Sequence, residues 1–304
     1  MQRRLIPRMV WAGLSFAKRR LGVSMIIKRG VIFALVALGA GGALLWLRHG
    51  FEATLTDIDT ALRQSRVQSG PRTDLPPEVV ALAARVGAMA EAGGFATFDQ
   101  SGQMWSKPGA KPMDFSAHQT VRADAAGFLW RAKFQRPVPM VVADYFQDGT
   151  GALEVRVFGA VQVTRGAGPA FDQGEAVRYL AEIPLNPDAI LCNRTLEWTV
   201  IDARTISVAM GVGAARGAVT FDLDDNGLIT GMYTPSRMSM EGNVAVARPW
   251  RGRFWDYQQM GGRLLPLQAE VGWVRDGGDF IYWRGIMVNW RAGAVADVPK
   301  SVND

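Results

Sequence analysis

The charged side chains best suited to chemistry lie in one segment with the spacing of a helix. Glu175, Arg178 and Glu182 stand at positions i, i+3 and i+7, so a helix would place them on one face. They form either a surface ion-pair ladder or a carboxylate held beside Arg178 and Tyr179 at the mouth of a cavity. In the second case Glu182 or Glu270 could act as the acid or base of an enzyme, with Arg178 binding an anionic group.

Aromatic side chains with arginine neighbours are the second unusual feature. They are dense between Trp250 and Tyr257 and recur at Tyr282-Trp283-Arg284. Such side chains suit an ordinary core, a groove for an apolar ligand, or a contact with a membrane surface. For the groove, the candidate ligand-binding residues are Trp130, Arg178, Tyr179, Glu182, Trp250, Tyr257, Trp283 and Arg284.

The common catalytic, metal and nucleotide motifs are missing from the sequence. His49 and His118 are the only histidines and Cys192 is the only cysteine, so we expect neither a zinc-type cluster nor an intrachain disulfide. There is no Gly-x-Ser-x-Gly elbow and no phosphate-binding loop. Residues 222–227 match the first half of a calcium loop, but Tyr233 stands where the bidentate acid belongs, which predicts a β-turn. We therefore predict no metal and no cofactor.

An uncharged apolar run, Gly30–Leu47, dominates the N-terminal part of the chain. As a helix it would span roughly 27 Å, close to the thickness of a bilayer's hydrocarbon core. Basic side chains precede it, and by the positive-inside rule they hold the N-terminus in the cytoplasm. Because residues 44–47 continue the run past the small residues at 39–43, we predict an uncleaved anchor. A cleaved secretory signal is the alternative.

These observations predict a single-pass membrane protein whose main domain lies outside the cytoplasm, which in a bacterium means an anchor in the inner membrane and a periplasmic or otherwise extracytoplasmic domain. Its predicted parts are a basic cytoplasmic segment at 1–29, a transmembrane helix at 30–48, a stalk helix and linker at 49–74, and one extracytoplasmic β domain at 75–304. Met25 is a second candidate start. The sequence indicates no particular oligomeric state.

The distribution of charge argues against a nucleic-acid partner. The chain has a net charge of +6, but eight Lys and Arg side chains and no acidic ones lie in residues 1–29. The remainder carries 26 basic and 28 acidic side chains. A nearly neutral domain lacks the positive surface that binding to phosphates requires.

Hydrophobic periodicity predicts a mainly β domain with a few helices. From about Met113 the period is 2, and residues 128–135 alternate cleanly, with Phe128 and Trp130 on one face and Leu129 and Arg131 on the other. Similar alternation recurs at 153–158, 196–201, 219–223, 265–273 and 280–290, separated by turn signals at 148–151, 225–227, 261–262 and 276–279. Short connections of this kind predict a large, curved antiparallel sheet.

Helical spacing is predicted in four places outside the apolar run. They are a stalk helix at 51–66, a second helix that begins near Leu75-Pro76-Pro77 and ends at Gly93-Gly94, an internal helix at Asp172–Ile183 stopped by Pro184, and a short turn at Asn186–Leu191. The helices are expected to pack on the sheet.

Several short motifs between residues 75 and 290 resemble an uncharacterised bacterial family of membrane-anchored domains of unknown function. The motifs are Leu75-Pro76-Pro77, Phe128-Leu129-Trp130, Asp144-Tyr145 before Asp148-Gly149, Arg178-Tyr179-Leu180-Ala181-Glu182, Trp198, Trp250-Arg251-Gly252 with Tyr257, Gly261-Gly262 with Pro266, Glu270-Val271 with Trp273, and Tyr282-Trp283-Arg284. This resemblance implies a single domain and assigns no catalytic residue. At the level of fold, the chain also resembles periplasmic lipoprotein-carrier domains, which are curved antiparallel sheets wrapped over helices.

Three functions remain open from the sequence. The first is a non-catalytic module that binds a lipid-like or other apolar ligand between sheet and helices. The second is an enzyme that uses a carboxylate pair and an arginine. The third is a structural or assembly factor of the cell envelope, which an exposed apolar patch outside any cavity would favour.

Overall fold

The computed structural model describes residues 15–64, 72–90, 94–212, 215–242 and 244–293, without the side chains of 15–37 and 212. The basic segment predicted at 1–29, residues 30–37 of the predicted span and residues 65–71 of the predicted linker therefore lie outside the part described in full. Among the residues described in full, no helix is long and apolar enough to cross a membrane.

The described chain contains a 13-stranded sheet and four helices. The helices are α1 (Ser15–Arg63), α2 (Pro77–Arg85), α3 (Pro169–Ala181) and α4 (Asp188–Cys192), with a 3₁₀ turn at Ile183–Leu185. The strands are β1 (Phe95–Met104), β2 (Met113–Arg122), β3 (Gly127–Phe134), β4 (Met140–Gln147), β5 (Thr150–Val157), β6 (Val161–Ala167), β7 (Glu197–Asp202), β8 (Thr205–Val212), β9 (Ala215–Leu223), β10 (Ile229–Glu241), β11 (Val244–Met260), β12 (Arg263–Trp273) and β13 (Phe280–Gly293).

The sheet is antiparallel throughout and its order is β6-β5-β4-β3-β2-β1-β13-β12-β11-β10-β9-β8-β7. Helix α3 shows how strongly it curves, because the helix contacts β5 near one end of this order and β9 near the other. Gly151 and Gly217 permit the approach: a Cβ at Gly151 would lie 3.0 Å from Glu175 Cβ, and one at Gly217 would lie 2.4 Å from Val177 Cγ2. The sheet is thus a half-barrel that wraps around α3, which confirms the predicted fold class of a curved antiparallel sheet with helices packed on it.

Alternate residues of the strands belong to two different apolar clusters, as the period of 2 predicts. Phe128 and Trp130 of β3 are buried in the main core inside the half-barrel. Leu129 of β3 and Ala143 of β4 face the other way and pack against α1. The sheet therefore has a concave face toward α3 and a convex face toward α1.

Helix α1 lies along the convex face of the sheet through its C-terminal part. Phe51, Leu55 and Leu62 of the helix are buried against that face, and the Arg131 guanidinium of β3 pairs with Glu52 at 2.5 Å. The predicted stalk at 51–66 is therefore helical as far as Arg63 and is docked on the domain.

Two element boundaries differ from the sequence prediction. Helix α2 ends at Arg85, before Gly93-Gly94, because Gly87 adopts φ +67° against the backbone of Gly262 and turns the chain there. The strand pattern begins at Phe95 and not near Met113. Strand β1 does alternate, with Ala96, Phe98 and Gln100 buried, but its residues 99–103 are all polar or glycine, so the hydrophobic pattern does not reveal it.

Candidate functional site

A cavity of about 270 Å³ lies between α3 and the concave face of the sheet. Its volume is near the lower end of the roughly 300–1,000 Å³ that small-molecule sites occupy. Most of its wall is apolar and rich in aromatic rings and methionines: Met104, Trp130, Phe171, Met238, Met240, Trp250, Phe254, Trp273, Tyr282 and Trp283. Five charged residues also line the cavity, and we call them the charge cluster: Asp144, Glu175, Arg178, Glu182 and Arg237.

Arg178 is the centre of the charge cluster. Its Nε donates to Glu182 Oε1 at 2.7 Å, and its Nη1 donates to Asp144 Oδ2. Burial alone would lower the pKa of Arg178, but the negative charges of Glu182 and Asp144 outweigh this and raise it. The guanidinium also lies over the ring of Trp130, with its Cζ 5.2 Å from the ring centroid. The carboxylates of Glu182 and Asp144 are thus both paired with Arg178 within the protein.

Arg237 of β10 brings the second positive charge to the cavity from the opposite side. Its Nε donates to Gly174 O at 3.0 Å, its Nη1 to Tyr282 Oη at 3.0 Å, and its Nη2 to Glu175 Oε1 at 3.5 Å. The guanidinium carbon lies 4.4 Å from the ring centroid of Trp250. The cation–π contact with Trp250 and the three hydrogen bonds therefore hold this buried arginine against α3.

The carboxyl groups of Asp144 and Glu175 lie next to each other. Asp144 Oδ1 and Glu175 Oε2 are both buried and have no partner among the N–H and O–H donors of the described residues. A hydrogen bond between the two carboxyls accounts for both atoms, and it requires one of them to carry a proton. Burial, and then the charge of Asp144, raises the pKa of Glu175 to about 8, so Glu175 holds this proton at neutral pH.

With that proton in place, the charge cluster is electrically neutral. The positive charges of Arg178 and Arg237 balance the negative charges of Asp144 and Glu182, while Glu175 is uncharged. Neutrality matters here because an uncompensated charge in a buried, apolar site is strongly unfavourable. The cluster can therefore offer hydrogen bonds to a guest but little net charge.

The structure brings five of the sequence-predicted site residues to the cavity wall: Trp130, Arg178, Glu182, Trp250 and Trp283. The indole Nε1 of Trp130 donates to Gln100 Oε1 at 2.7 Å. The Nε1 of Trp250 is buried and has no partner among the described residues. A buried donor in this state is unfavourable by about 1–3 kcal/mol.

Tyr179 and Tyr257 do not line the cavity. The Tyr179 hydroxyl donates to Arg122 O at 3.2 Å and accepts from Asn193 Nδ2 at 2.9 Å, and burial raises the pKa of this phenol. The Tyr257 hydroxyl donates to Ile229 O at 2.6 Å. Both tyrosines thus fix the protein's own backbone.

Glu270 and Arg284 also lie outside the cavity. They are directly opposite each other on β12 and β13, and Arg284 Nη2 donates to Glu270 Oε2 at 2.8 Å. Ala269 and Val271, the neighbours of Glu270, line the cavity, so the alternation of the strand turns Glu270 to the other face. The structure does not bring Glu182 and Glu270 together in the cavity.

Sequence reasoning missed Arg237, and it considered Asp144, Trp273 and Tyr282 only as parts of motifs. Asp144 had a usable signal: it shares a face of β4 with Val142 and Phe146, which are apolar, so it points into the core. Arg237 had none, since a register shift of β10 between Thr234 and Arg237 interrupts the alternation there. The half-calcium motif is a turn, as predicted, with Asp224 Oδ1 accepting from the backbone N–H groups of Asn226 and Leu228.

Within the described ranges, no group of three or more His, Cys, Asp or Glu side chains is arranged to hold a metal ion. His118 pairs with Asp99 at 2.7 Å on a half-exposed part of β2. Cys192 is buried, and burial raises the pKa of its thiol to about 12.

Three solved structures resemble the chain at low sequence identity. A LolA superfamily protein from Nitrosomonas europaea has 9% identity and a TM-score of 0.39, with 73% of this chain and 94% of that chain covered. A DUF1329 family protein from Desulfovibrio piger has 13% identity and a TM-score of 0.39, with 74% and 92% covered. A domain described as an outer membrane lipoprotein-sorting protein, from Vibrio parahaemolyticus, has 9% identity and a TM-score of 0.41, with 75% and 94% covered. At these scores the likeness supports no conclusion about function.

No protein of curated function matches the sequence. One family model does match, over residues 66–285, and its description is a family of unknown function, DUF6544. The match covers most of the sequence, including all the residues of the charge cluster. The chain therefore belongs to the DUF6544 family, which agrees with the resemblance to an uncharacterised family predicted from its motifs.

Proposed function

We propose that this chain is a membrane-anchored, extracytoplasmic module that binds one amphipathic, lipid-like molecule in the cavity under α3. The observation that carries the proposal is the wall of the cavity, which combines aromatic rings and methionines with a charge cluster at one side. An apolar body would replace water along the aromatic wall, where burial of apolar surface is worth about 25 cal/mol per Å². A polar end would hydrogen-bond to the charge cluster.

The electrostatics of the cluster favour an uncharged polar end. Arg178 is paired with the carboxylates of Asp144 and Glu182, and the donors of Arg237 are directed to Gly174 O, Tyr282 Oη and the Glu175 carboxyl, so neither guanidinium is set up as a clamp for an anion. A carboxylate or phosphate would add an unbalanced negative charge beside Asp144 and Glu182. A hydroxyl or ester group would meet hydrogen-bonding partners without changing the net charge.

The membrane anchor is part of the proposal and is supported by the sequence and by α1. The run Gly30–Leu47 is uncharged, and basic side chains precede it. The described end of this run exposes large apolar side chains: Leu38 is 71%, Leu45 68% and Trp46 75% exposed. A stretch of exposed apolar surface on a helix needs a partner, and a bilayer is the partner that the length and charge pattern of the run favour.

Quenching of tryptophan fluorescence tests occupancy of the cavity. The measurement uses the full chain with Trp46→Phe, which removes the fluorescence of the tryptophan in the predicted span. A brominated long-chain alcohol that enters the cavity should quench the fluorescence of the four tryptophans in its wall. Ala269→Phe fills the cavity from β12 and should abolish most of the saturable quenching, whereas Ala247→Phe on the exposed part of β11 should leave it intact. Equal quenching in the two variants would contradict binding in the cavity.

A second candidate function, general acid–base catalysis, is favoured by one observation. The pKa of Glu175 is raised to about 8, and a carboxyl that titrates near neutral pH can both give and take a proton. The reacting pair would be Asp144 and Glu175 instead of Glu182 and Glu270. Turnover of chromogenic esters or glycosides that is lost in Glu175→Gln and kept in the exposed control Glu197→Gln would support it. Absence of turnover in the wild-type chain would exclude it for those substrates.

A further inference from the structure

The meander of β1 to β6 has two rims of opposite character. Because the strands are antiparallel neighbours, the connections β1–β2, β3–β4 and β5–β6 all lie at one rim, and β2–β3 and β4–β5 lie at the other. The first rim consists of residues 105–112, 135–139 and 158–160, and we call it the basic rim. It contains Lys107, Lys111 and Arg136 and no acidic residue. The opposite connections, 123–126 and 148–149, contain no basic residue; Asp148 is exposed there, whereas the side chain of Asp124 is buried and paired with Arg122 of β2.

Apolar side chains are exposed among the cations of the basic rim. Phe158 is 58% exposed at the tip of the β5–β6 turn, and Val138 is 39% exposed in the β3–β4 turn. Val161, which begins β6 beside this turn, is 44% exposed. A mixture of exposed aromatic, aliphatic and basic side chains suits the interface between the headgroups and hydrocarbon of a bilayer with anionic lipid.

The direction of α1 places the basic rim on the side from which the predicted anchor leaves the domain. At its C-terminal end the helix reaches the other rim, where Leu62 Cδ2 would lie 2.9 Å from a Cβ at Gly127. Fourteen residues earlier it passes the basic rim, where Arg48 Cγ would lie 3.8 Å from a Cβ at Gly159. Residues 38–47, which precede Arg48, are largely exposed. The apolar run therefore projects from the basic rim.

We propose that the basic rim is a membrane-contact surface, on which the β domain rests against the lipid bilayer that its own N-terminal helix enters. Phe158 and Val138 insert at the level of the headgroups, and Lys107, Lys111 and Arg136 face lipid phosphates. This inference rests on the proposed anchor and goes beyond it, since a tethered domain need not touch the membrane. It also fixes the orientation of the domain, with the acidic turns at Asp124 and Asp148 directed away from the bilayer.

Spin labels at two matched turns test this surface. Phe158 and Asp148 are both exposed and flank the two ends of β5. Both have a positive φ, which is 55° at Phe158 and 51° at Asp148. Phe158→Cys and Asp148→Cys can each be labelled in the full chain without removing Cys192, because that thiol is buried and its pKa is raised to about 12. The chain is reconstituted in vesicles of phosphatidylethanolamine and phosphatidylglycerol. Accessibility of each label to oxygen, relative to a water-soluble nickel chelate, is then measured.

We expect the ratio of oxygen to nickel accessibility to be several-fold higher at position 158 than at position 148. Lys107→Glu with Lys111→Glu, or vesicles without phosphatidylglycerol, should lower the ratio at 158 and leave that at 148 unchanged. If the chain floats with the vesicles but both labels report the same aqueous ratio, the contact surface is wrong while the anchor stands. If the chain does not float with the vesicles, the anchor and the contact surface are both wrong.

Discussion

Asp144 on β4 and Glu175 on α3 are joined by a hydrogen bond between their carboxyl groups, in the wall of a largely apolar cavity. Both residues are at least nine-tenths buried, with 5% and 4% of their surfaces exposed. The two carboxyls could not both be ionised without strong repulsion, so the pair binds one proton. That proton makes the charge cluster neutral and ties the chemistry of the cavity to pH.

Glu175→Gln should remove part of the dependence of stability on pH. The pKa of Glu175 is about 8 in the folded protein against an ordinary value of 4.5. Between these values the folded state binds a proton that the unfolded chain has released, so the free energy of unfolding falls as pH rises from about 4.5 through about 8. One group contributes a slope of at most about 1.4 kcal/mol per pH unit. Glutamine keeps a donor toward Asp144 but cannot titrate.

Urea denaturation from pH 5 to pH 9 measures this effect. The Glu175→Gln profile should be flatter than that of the wild type, and the variant should be the more stable of the two above pH 8. Glu197→Gln, which removes an exposed carboxyl of β7, should keep the wild-type slope. Parallel profiles for Glu175→Gln and the wild type would contradict the shared proton.

Arg178→Met should destabilise the fold by about 3–5 kcal/mol, because it leaves the buried carboxylates of Asp144 and Glu182 without their counter-charge. Adding Asp144→Asn to the same chain should recover part of the loss, since it removes one of the two unpaired charges. The free energy of unfolding from denaturant titration measures both effects. Arg248→Met breaks an exposed ion pair with Glu241 and should have no measurable effect. A double variant less stable than Arg178→Met would argue against charge imbalance as the cause.

A long-chain alcohol should bind at least about tenfold more tightly at pH 7 than the carboxylate of the same chain length, because the carboxylate adds an unbalanced charge to a neutral cluster. Displacement of the brominated alcohol, followed by recovery of tryptophan fluorescence, measures both affinities. Below the pKa of the fatty acid the two compounds should bind alike. Tighter binding of the carboxylate at pH 7 would show that Arg178 or Arg237 acts as an anion clamp after all.

Leu55→Ala should loosen the stalk from the convex face of the sheet. Leu55 is 2% exposed, and truncation of a buried leucine is unfavourable by about 2–5 kcal/mol. The amides of residues 51–63 should therefore exchange hydrogen for deuterium about tenfold faster or more, while those of α3 should change much less. Thr56→Ala, on the exposed side of the same helix, should leave the exchange rates unchanged. Uniform acceleration across the whole domain would mean that the stalk is part of the global unfolding unit.

The fold was largely predictable because its determinants are local. Alternation in residues 128–135 placed Trp130 and Leu129 on opposite faces of the strand, and the structure has them so. Short turns such as Asp148-Gly149 and Gly261-Gly262 join neighbouring strands where the sequence signals them. The internal helix begins at Pro169, three residues before the predicted Asp172, because proline is compatible with a first helical turn.

The site was only partly predictable because it joins residues that are distant in the chain. The spacing of Glu175, Arg178 and Glu182 gave one wall of the cavity, but nothing local brings Asp144 or Arg237 to them. The choice between a surface ladder and a buried site depends on how far the sheet curves around α3, which is a property of all thirteen strands. Tyr179 and Tyr257 were predicted to bind a ligand because they are aromatic and lie near arginines. In the structure their hydroxyl groups instead donate to carbonyl groups of the protein's own backbone.

Photo-crosslinking tests the central claim most directly. A long-chain alcohol with a diazirine in its tail would be added to the full chain in vesicles, irradiated, and mapped by peptide mass spectrometry. We predict saturable crosslinks to cavity residues such as Phe171, Met238 and Trp273, and their loss in Ala269→Phe but not in Ala247→Phe. Crosslinks confined to the exposed apolar residues 38–47, with none in the cavity, would contradict the proposal that this domain holds a lipid-like ligand.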